Sequence, residues 1–202
     1  MINESELTVL KEIKKFAKEE EIPIMESEGI EYLTKFVVRN NIKNVLELGT
    51  AIGYSAIMMA LANRELRITT VERDHERYLE AVKNVKKLEL EDRITLLFSD
   101  AIDLDFAEKF DLIFLDAAKG QNINFFEKFE YNLNDGGSII TDNISFHGLV
   151  EKDDEEIKSK KLRTLVEKIR EYIEFLKNKK DYTVEFLDIG DGIAVATKNE
   201  EE

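Results

Sequence analysis

Apolar residues recur at helical spacing near the start of the chain, at Leu7, Leu10, Ile13 and Phe16-Ala17. This predicts an amphipathic helix over residues 4–20. The only proline, Pro23, falls in a short break, and Ile30, Leu33, Phe36 and Val37 then share one face of a second predicted helix, 27–40. From residue 43 the pattern changes to short continuous apolar runs separated by helical stretches. The runs predict strands at 43–48, 67–72, 93–98, 110–116 and 137–142, with helices at 53–63, 74–88, 102–108 and 121–132 between them. Such alternation, with strands apolar throughout, argues for a parallel, doubly wound sheet with helices on both faces. The end of the chain departs from this pattern. A long helix, 154–178, precedes strands Tyr182–Asp188 and Gly192–Lys198, joined only by Ile189-Gly190-Asp191. So short a link permits a hairpin but not a parallel crossover. The predicted fold is a Rossmann-like α/β sheet of seven strands, mostly parallel, with an antiparallel C-terminal element. Residues 1–202 read as one domain, a helical cap at 1–40 on a core at 43–198.

An apolar content of 43% over 202 residues is enough for a full core. The chain has no cysteine, which excludes disulfides and thiolate metal sites. No stretch approaches the roughly 18 apolar residues of a membrane span, and MINESELTVL is too polar for a signal peptide. A cytoplasmic protein is expected, without a membrane partner. The net charge of −14 argues, taken alone, against nucleic acid. Its distribution qualifies that: Lys158 to Lys180 holds nine Lys/Arg against three Glu, a net +6 that leaves −20 for the rest. Two readings stay open for this segment, a solvated amphipathic helix and a patch that touches phosphate.

Candidate chemistry sits where strands end. Asp116 closes the run Leu112-Ile113-Phe114-Leu115, and Asp142-Asn143 closes Ser138-Ile139-Ile140-Thr141. Parallel strands would bring both to the carboxyl edge of the sheet, where ligands bind in open α/β folds. Two carboxylates and an amide oxygen form a hard-oxygen set suited to Mg²⁺ or a similar dication. A third element, Leu46-Glu47-Leu48-Gly49-Thr50-Ala51-Ile52-Gly53, runs from a strand through a glycine turn into a helix, with Ser55 in its first turn. Its glycines allow close approach of a ligand to the backbone. The spacing is not the G-x-G-x-x-G of a dinucleotide site, which disfavours a nicotinamide dehydrogenase. Glu47 would repel a pyrophosphate and suits a cationic amino group. Glu72 ends the second strand, placed for ribose hydroxyls, and Asp100 follows the third, placed for an adenine amino group. Of the two histidines, His75 reads as surface and His147 as structural or lining the substrate mouth. Phe125, Phe126 and Phe129 read as core, whereas Phe146 is the better candidate to line a planar substrate.

ELGTAIGYSA, VERD, SDA, FLDAAKGQ and TDNISFHGLV, in this order, resemble the cation-dependent S-adenosylmethionine O-methyltransferases of the catechol and caffeoyl-CoA type. AKGQ, TDN, FHGLV, LRTLVEKIREY and IGDGIAVATK resemble the bacterial branch that methylates 5-hydroxyuridine in tRNA. The resemblance runs from about Pro23 to Lys198. It implies that Met25, Glu47, Gly49, Ser55, Glu72, Asp100, Ala101 and Asp116 contact S-adenosylmethionine, and that Asp116, Asp142 and Asn143 hold Mg²⁺ or a similar dication. It implies Lys119 as the catalytic base, and a homodimer. On this resemblance the expected reaction is methylation of the 5-hydroxyl of wobble 5-hydroxyuridine, giving 5-methoxyuridine, with the tRNA held by the basic helix 158–180. The alternative acceptor is a small catechol or caffeoyl-CoA-like vicinal diol. The additional substrate-binding glutamate of the animal catechol enzymes has no clear match.

Overall fold

The structure, a computed structural model, describes residues 2–200. By internal contacts the chain forms two compact units, Met1–Asp105 and Phe106–Glu202. Among the described residues seven strands form a mixed sheet, ordered β3-β2-β1 in the first unit and β4-β5-β7-β6 in the second.

The first unit opens with α1 (Glu4–Glu19) and α2 (Ser27–Arg39). Asn3 starts α1 through a reciprocal cap, its side chain accepting from the Glu6 amide while the Glu6 carboxylate accepts from the Asn3 amide. The buried stripe of α1 is Leu10, Ile13 and Ala17; Leu7, expected on it, is 46% exposed because the stripe begins one turn later. Ile30, Leu33 and Val37 are the buried face of α2, as their spacing predicts. β1 (Asn44–Leu48), β2 (Arg67–Glu72) and β3 (Ile94–Phe98) pair in parallel, separated by α3 (Tyr54–Ala62) and α4 (His75–Lys87). Leu48 lies beside Val71 and Glu72 beside Phe98. The turns after all three strands therefore leave from one edge. The predicted helix 102–108 shrinks to a single 3₁₀ turn, Ala101–Asp103, opened by the Asp100 carboxylate accepting from the Ile102 amide.

In the second unit β4 (Phe110–Leu115) runs parallel to β5 (Leu133–Asp142), and β5 runs antiparallel to β7 (Ile193–Lys198), which pairs antiparallel with β6 (Tyr182–Leu187). The expected hairpin and reversed C-terminal element are therefore present. β5 begins four residues earlier than its apolar run suggests. Its first part contains Asn134-Asp135-Gly136-Gly137, and the register to β4 slips there, from Phe110 opposite Leu133 to Leu112 opposite Ser138. Turn-forming residues inside an irregular strand hide it from a periodicity reading. The helix expected over 121–132 is α5 (Asn122–Phe129) with 3₁₀ turns before and after it. The helix expected over 154–178 is shorter, α6 (Lys160–Lys177). Ser159 caps it, its hydroxyl accepting from the Leu162 amide, and the preceding residues form a separate 3₁₀ turn at Asp154–Glu156.

Phe125, Phe126 and Phe129 of α5 are buried, as expected of core residues. Lys179, just past α6, joins them to the hairpin. Its ammonium lies 2.7 and 3.0 Å from the two Glu130 carboxylate oxygens and over the rings of Phe126, Phe175 and Tyr182 at 5.2, 5.2 and 5.8 Å. Removing it leaves a half-buried carboxylate without its cation and three rings without theirs, a loss of about 2 kcal/mol. For a chain of this size that lowers the melting temperature by about 4–8 °C. Lys179→Met tested by calorimetry should show this fall, and a shift under one degree would mean the cluster contributes nothing net.

Candidate functional site

In the first unit the turn after β1 is fixed from β2. The amides of Gly49 and Thr50 both donate to the Val71 carbonyl, at 3.0 and 3.2 Å. Gly53, at φ +86°, begins α3 in a left-handed conformation that a side chain would strain, and its Cβ position lies 3.4 Å from Ala81. No side chain caps α3, so its first amides face the turn without a side-chain acceptor. Ser55 does not cap α3; it is buried with its hydroxyl donating to Glu47 at 2.5 Å. Glu47 is fully buried and also accepts from the Thr70 hydroxyl, which lies 2.6 Å from the Thr50 hydroxyl. Two hydroxyl donors hold the carboxylate in place. Thr70 was not visible as part of this group; it is one of two adjacent threonines in β2, and nothing in the pattern sets it apart.

Glu72 is buried and spans two loops: one oxygen accepts from the Ala51 amide and the other from the Asp74 amide, both at 2.8 Å. The carboxylate is pinned at the strand end, and each oxygen keeps a lone pair for a further donor. Asp100 faces the Arg73 guanidinium at 3.4 Å, and Ala101 beside it is buried. Met25 is buried against α2, where a Cβ on Gly29 would meet its Cε at 2.9 Å. His75 is exposed, with its ring edge-on to Phe98.

In the second unit the register does the positioning. Leu115 lies opposite Thr141, so Asp116 and Asp142 are the next residues in line on two adjacent parallel strands. Asp142 is 3% exposed. Burial, and then the Asp116 charge, push its carboxyl up to about 7, against the pull of Lys119 and of the Asn143 amide, which donates to it. The Lys119 ammonium lies 2.6 Å from Asp116. Crowded negative charge of this kind is what a dication relieves. Among the described residues no three His, Cys, Asp or Glu gather closely enough to hold a metal on their own. The donor set here is two carboxylates and the Asn143 amide, which fits a hard cation that fills its remaining positions with other oxygens.

Asn143 stands at φ +60°, and the loop after it continues through Phe146, His147 and Gly148 at +44°, +57° and +72°. The turn between β6 and β7 ties this loop down. The amides of Ile144 and Ser145 donate to the carbonyls of Gly192 and Asp191 at 3.1 and 2.9 Å, and the His147 amide donates to the Asp191 carboxylate. His147 itself is exposed, and its ring lies 5.5 Å from that of Phe146. Asp191 went unrecognised in the sequence. Between Gly190 and Gly192 it reads as an ordinary turn former.

The basic segment is largely spent within its own unit. Arg163 donates to the Ile157 carbonyl, Arg170 to the carbonyls of Val150 and Lys152 and to Asp154, Lys177 to Glu174, and Lys179 to Glu130. Lys168 reaches the Gly120 carbonyl at 3.5 Å. Five acids between Glu151 and Glu156 directly precede it. The exposed lysines at its start, Lys158, Lys160 and Lys161, and Lys180 at its end are what remains of the patch.

Comparison with known proteins identifies this fold as that of an S-adenosylmethionine-dependent O-methyltransferase. The chain belongs to the O-methyltransferase family, which it matches over residues 2–199. An Arabidopsis thaliana protein described as "putative caffeoyl-CoA O-methyltransferase" is 34% identical over 94% of this chain and 86% of its own length. A Staphylococcus aureus crystal structure with the same description is 33% identical, with a TM-score of 0.90 over 94% of this chain and 92% of that one. The crystal structure of a Bacillus cereus O-methyltransferase in complex with SAH is 26% identical, with a TM-score of 0.80 over 95% of this chain and 91% of that one. No described helix is long and apolar enough to cross a membrane.

Proposed function

We propose that the protein transfers the methyl group of S-adenosylmethionine to one of two adjacent oxygens on a small planar acceptor, a catechol or a caffeoyl-type diol, with a divalent cation at Asp116, Asp142 and Asn143. The observation that carries this reading is the pairing of two crowded carboxylates, one of them buried, with an amide on the next residue. The names of the relatives above point to the same acceptor class.

A bound dication supplies polarisation of the acceptor oxygen and a template for its neighbour. The rest falls to side chains. Glu47, held by Ser55 and Thr70, is the partner for the ammonium of the cofactor's methionine part. Glu72 offers acceptors to the ribose hydroxyls, and the uncapped start of α3 offers amides. Asp100 and Ala101 are assigned to the adenine, and Met25 and Gly49 to packing on the cofactor. Lys119, acting as its neutral amine, takes the acceptor's proton on Nζ and becomes the ammonium that pairs with Asp116; the oxygen so freed bonds to the methyl carbon as the carbon–sulfur bond breaks, leaving S-adenosylhomocysteine. Phe146 lines the planar acceptor. Positioning the oxygen for an in-line displacement contributes much of the rate.

A second reading, methylation of 5-hydroxyuridine in tRNA, rests on Lys158, Lys160 and Lys161, exposed around the start of α6. The internal ties of Arg163, Arg170, Lys177 and Lys179 weaken it. The deciding measurement is transfer of labelled methyl to a catechol and to hypomodified tRNA, with Mg²⁺ and with EDTA. Mg²⁺-dependent turnover of the catechol, insensitive to moderate salt, supports the first reading. Label in tRNA alone, lost steeply as salt rises, replaces it with the second. Turnover unaffected by EDTA removes the cation from both.

A further inference from the structure

We infer that Asp191 is a positioning residue for this site: through the His147 amide it holds the loop that carries Asn143 and Phe146 in its working conformation. The inference rests on the reading of Asp116, Asp142 and Asn143 as cation ligands.

The loop needs an external hold. Asn143, Phe146 and His147 all stand at positive φ, a conformation that costs L residues of order 1 kcal/mol or more each. Such a run persists only where the surroundings over-determine it. Here the surroundings are the turn between β6 and β7. Two of its carbonyls take the Ile144 and Ser145 amides, which ties only the first half of the loop. The turn reaches the second half through one side chain, the Asp191 carboxylate on the His147 amide; the other bonds there, from the Leu149 and Val150 amides to the Phe146 and Ser145 carbonyls, close the loop on itself and do not anchor it to the turn. That side chain is 5% exposed, so the bond is made out of water. A charge-assisted bond of this kind is among the stronger ones available.

The same turn excludes alternatives. A Cβ on Gly192 would lie 2.3 Å from the Ser145 hydroxyl and 2.9 Å from the Ser145 amide, so the turn and the loop are in contact with no room for a side chain. The second Asp191 oxygen is buried without a hydrogen bond, 3.6 Å from the His147 ring nitrogen Nδ1. A buried, half-satisfied carboxylate is costly, which a turn former alone does not account for. Its one bond reaches the loop four residues beyond Asn143. Groups that hold a ligand in place from behind typically change metal affinity or activity by about 10–100-fold when removed.

The test uses the full chain with Asp191→Ala, Asp191→Asn and Asp191→Glu. Asparagine keeps an oxygen for the His147 amide, whereas alanine removes it and glutamate displaces it. Three readouts are taken: Mn²⁺ affinity by spin-resonance titration, S-adenosylhomocysteine affinity by calorimetry, and hydrogen exchange of the His147 amide without metal. Asp191→Ala should weaken Mn²⁺ about tenfold or more and speed His147 exchange at least about tenfold, with S-adenosylhomocysteine bound within about twofold of the parent. Asp191→Asn should restore Mn²⁺ affinity to within about threefold. Should Asp191→Ala not fold, Asp191→Glu must show the loss and Asp191→Asn the recovery. Unchanged exchange and unchanged Mn²⁺ affinity in the folded alanine or glutamate variant overturn the inference, as does an asparagine variant no better than alanine. If the parent binds no Mn²⁺, or Asp142→Ala binds it equally well, the cation reading has failed instead. The exchange rate then decides the role of Asp191 by itself.

Discussion

Asp142→Asn should abolish most activity and yet give a more heat-stable protein when no metal is present at pH 8. The carboxyl of Asp142 is pushed from its ordinary 3.8 up to about 7 by burial and by the facing Asp116 charge. A carboxyl whose folded value is raised binds its proton more tightly folded than unfolded. Its stabilising contribution is therefore complete below about pH 4 and is lost as pH rises through about 7. At pH 8 the folded metal-free protein carries the whole penalty of two crowded carboxylates, of order a few kcal/mol. Asparagine has no such titration, is nearly the same size, and still accepts from the Asn143 amide. The melting temperature of the variant should exceed the parent's at pH 8 by several degrees, and the difference should shrink towards pH 4. Mg²⁺ should raise the parent's melting point, because a ligand that binds only the folded state stabilises it by mass action, and should raise the variant's much less. Turnover should fall by at least about a hundredfold, the scale of the charge stabilisation a bound cation supplies. Differential scanning calorimetry from pH 4 to 8, with and without Mg²⁺, checks the stabilities, and transfer of labelled methyl to a catechol checks the turnover. A variant less stable than the parent at pH 8, or equally stabilised by Mg²⁺, would show that the two carboxylates are not held in repulsion for a cation.

That trade of stability for a charged site is why the strand ends were legible from the sequence. Asp116 and Asp142 each interrupt an apolar run at its last position, where a core residue would otherwise continue. A soluble fold has no packing reason to end two buried strands on carboxylates. Glu47 stands out as the charged residue inside the apolar β1, whereas Glu72 ends a strand of mixed character and is marked only by its place at the strand end. What the pattern cannot supply is the set of groups that hold these acids. Thr70 is one of two threonines in a strand of mixed character, and Asp191 sits between glycines where turn chemistry alone explains it. Both act through contacts 23 and 44 residues away along the chain.

The misreadings follow the same logic. The predicted helices around α5 and α6 ran too long because 3₁₀ turns share the helical spacing of apolar residues. The basic run leaves a solvated helix and a phosphate-touching patch both open in the sequence, because composition counts charge only along the chain. In the folded unit Arg163 and Arg170 turn back onto backbone carbonyls of the preceding segment, and Lys179 turns into an aromatic cluster. An arginine that satisfies carbonyls of its own chain is indistinguishable, by composition, from one that waits for a phosphate.

Lys119→Met should lower kcat/KM for a catechol by about a hundredfold to ten-thousandfold, the range general-base catalysis supplies. The loss should not come from the cation. Lys119 now shares Asp116 with any metal, its ammonium 2.6 Å from a carboxylate oxygen. Methionine removes that competitor and leaves Asp116 more available, so Mn²⁺ affinity should hold or rise. A purely structural lysine predicts the opposite, since breaking the pair would loosen Asp116 and weaken the metal. The acceptor separates the two roles further. A nitrocatechol is already ionised at the assay pH and needs no base, so its loss should be about tenfold smaller than that of catechol. With catechol the variant's rate should climb steadily with pH as the acceptor ionises in solution. Comparable losses for both acceptors, together with weakened Mn²⁺ binding, would reassign Lys119 from proton acceptor to a prop for Asp116.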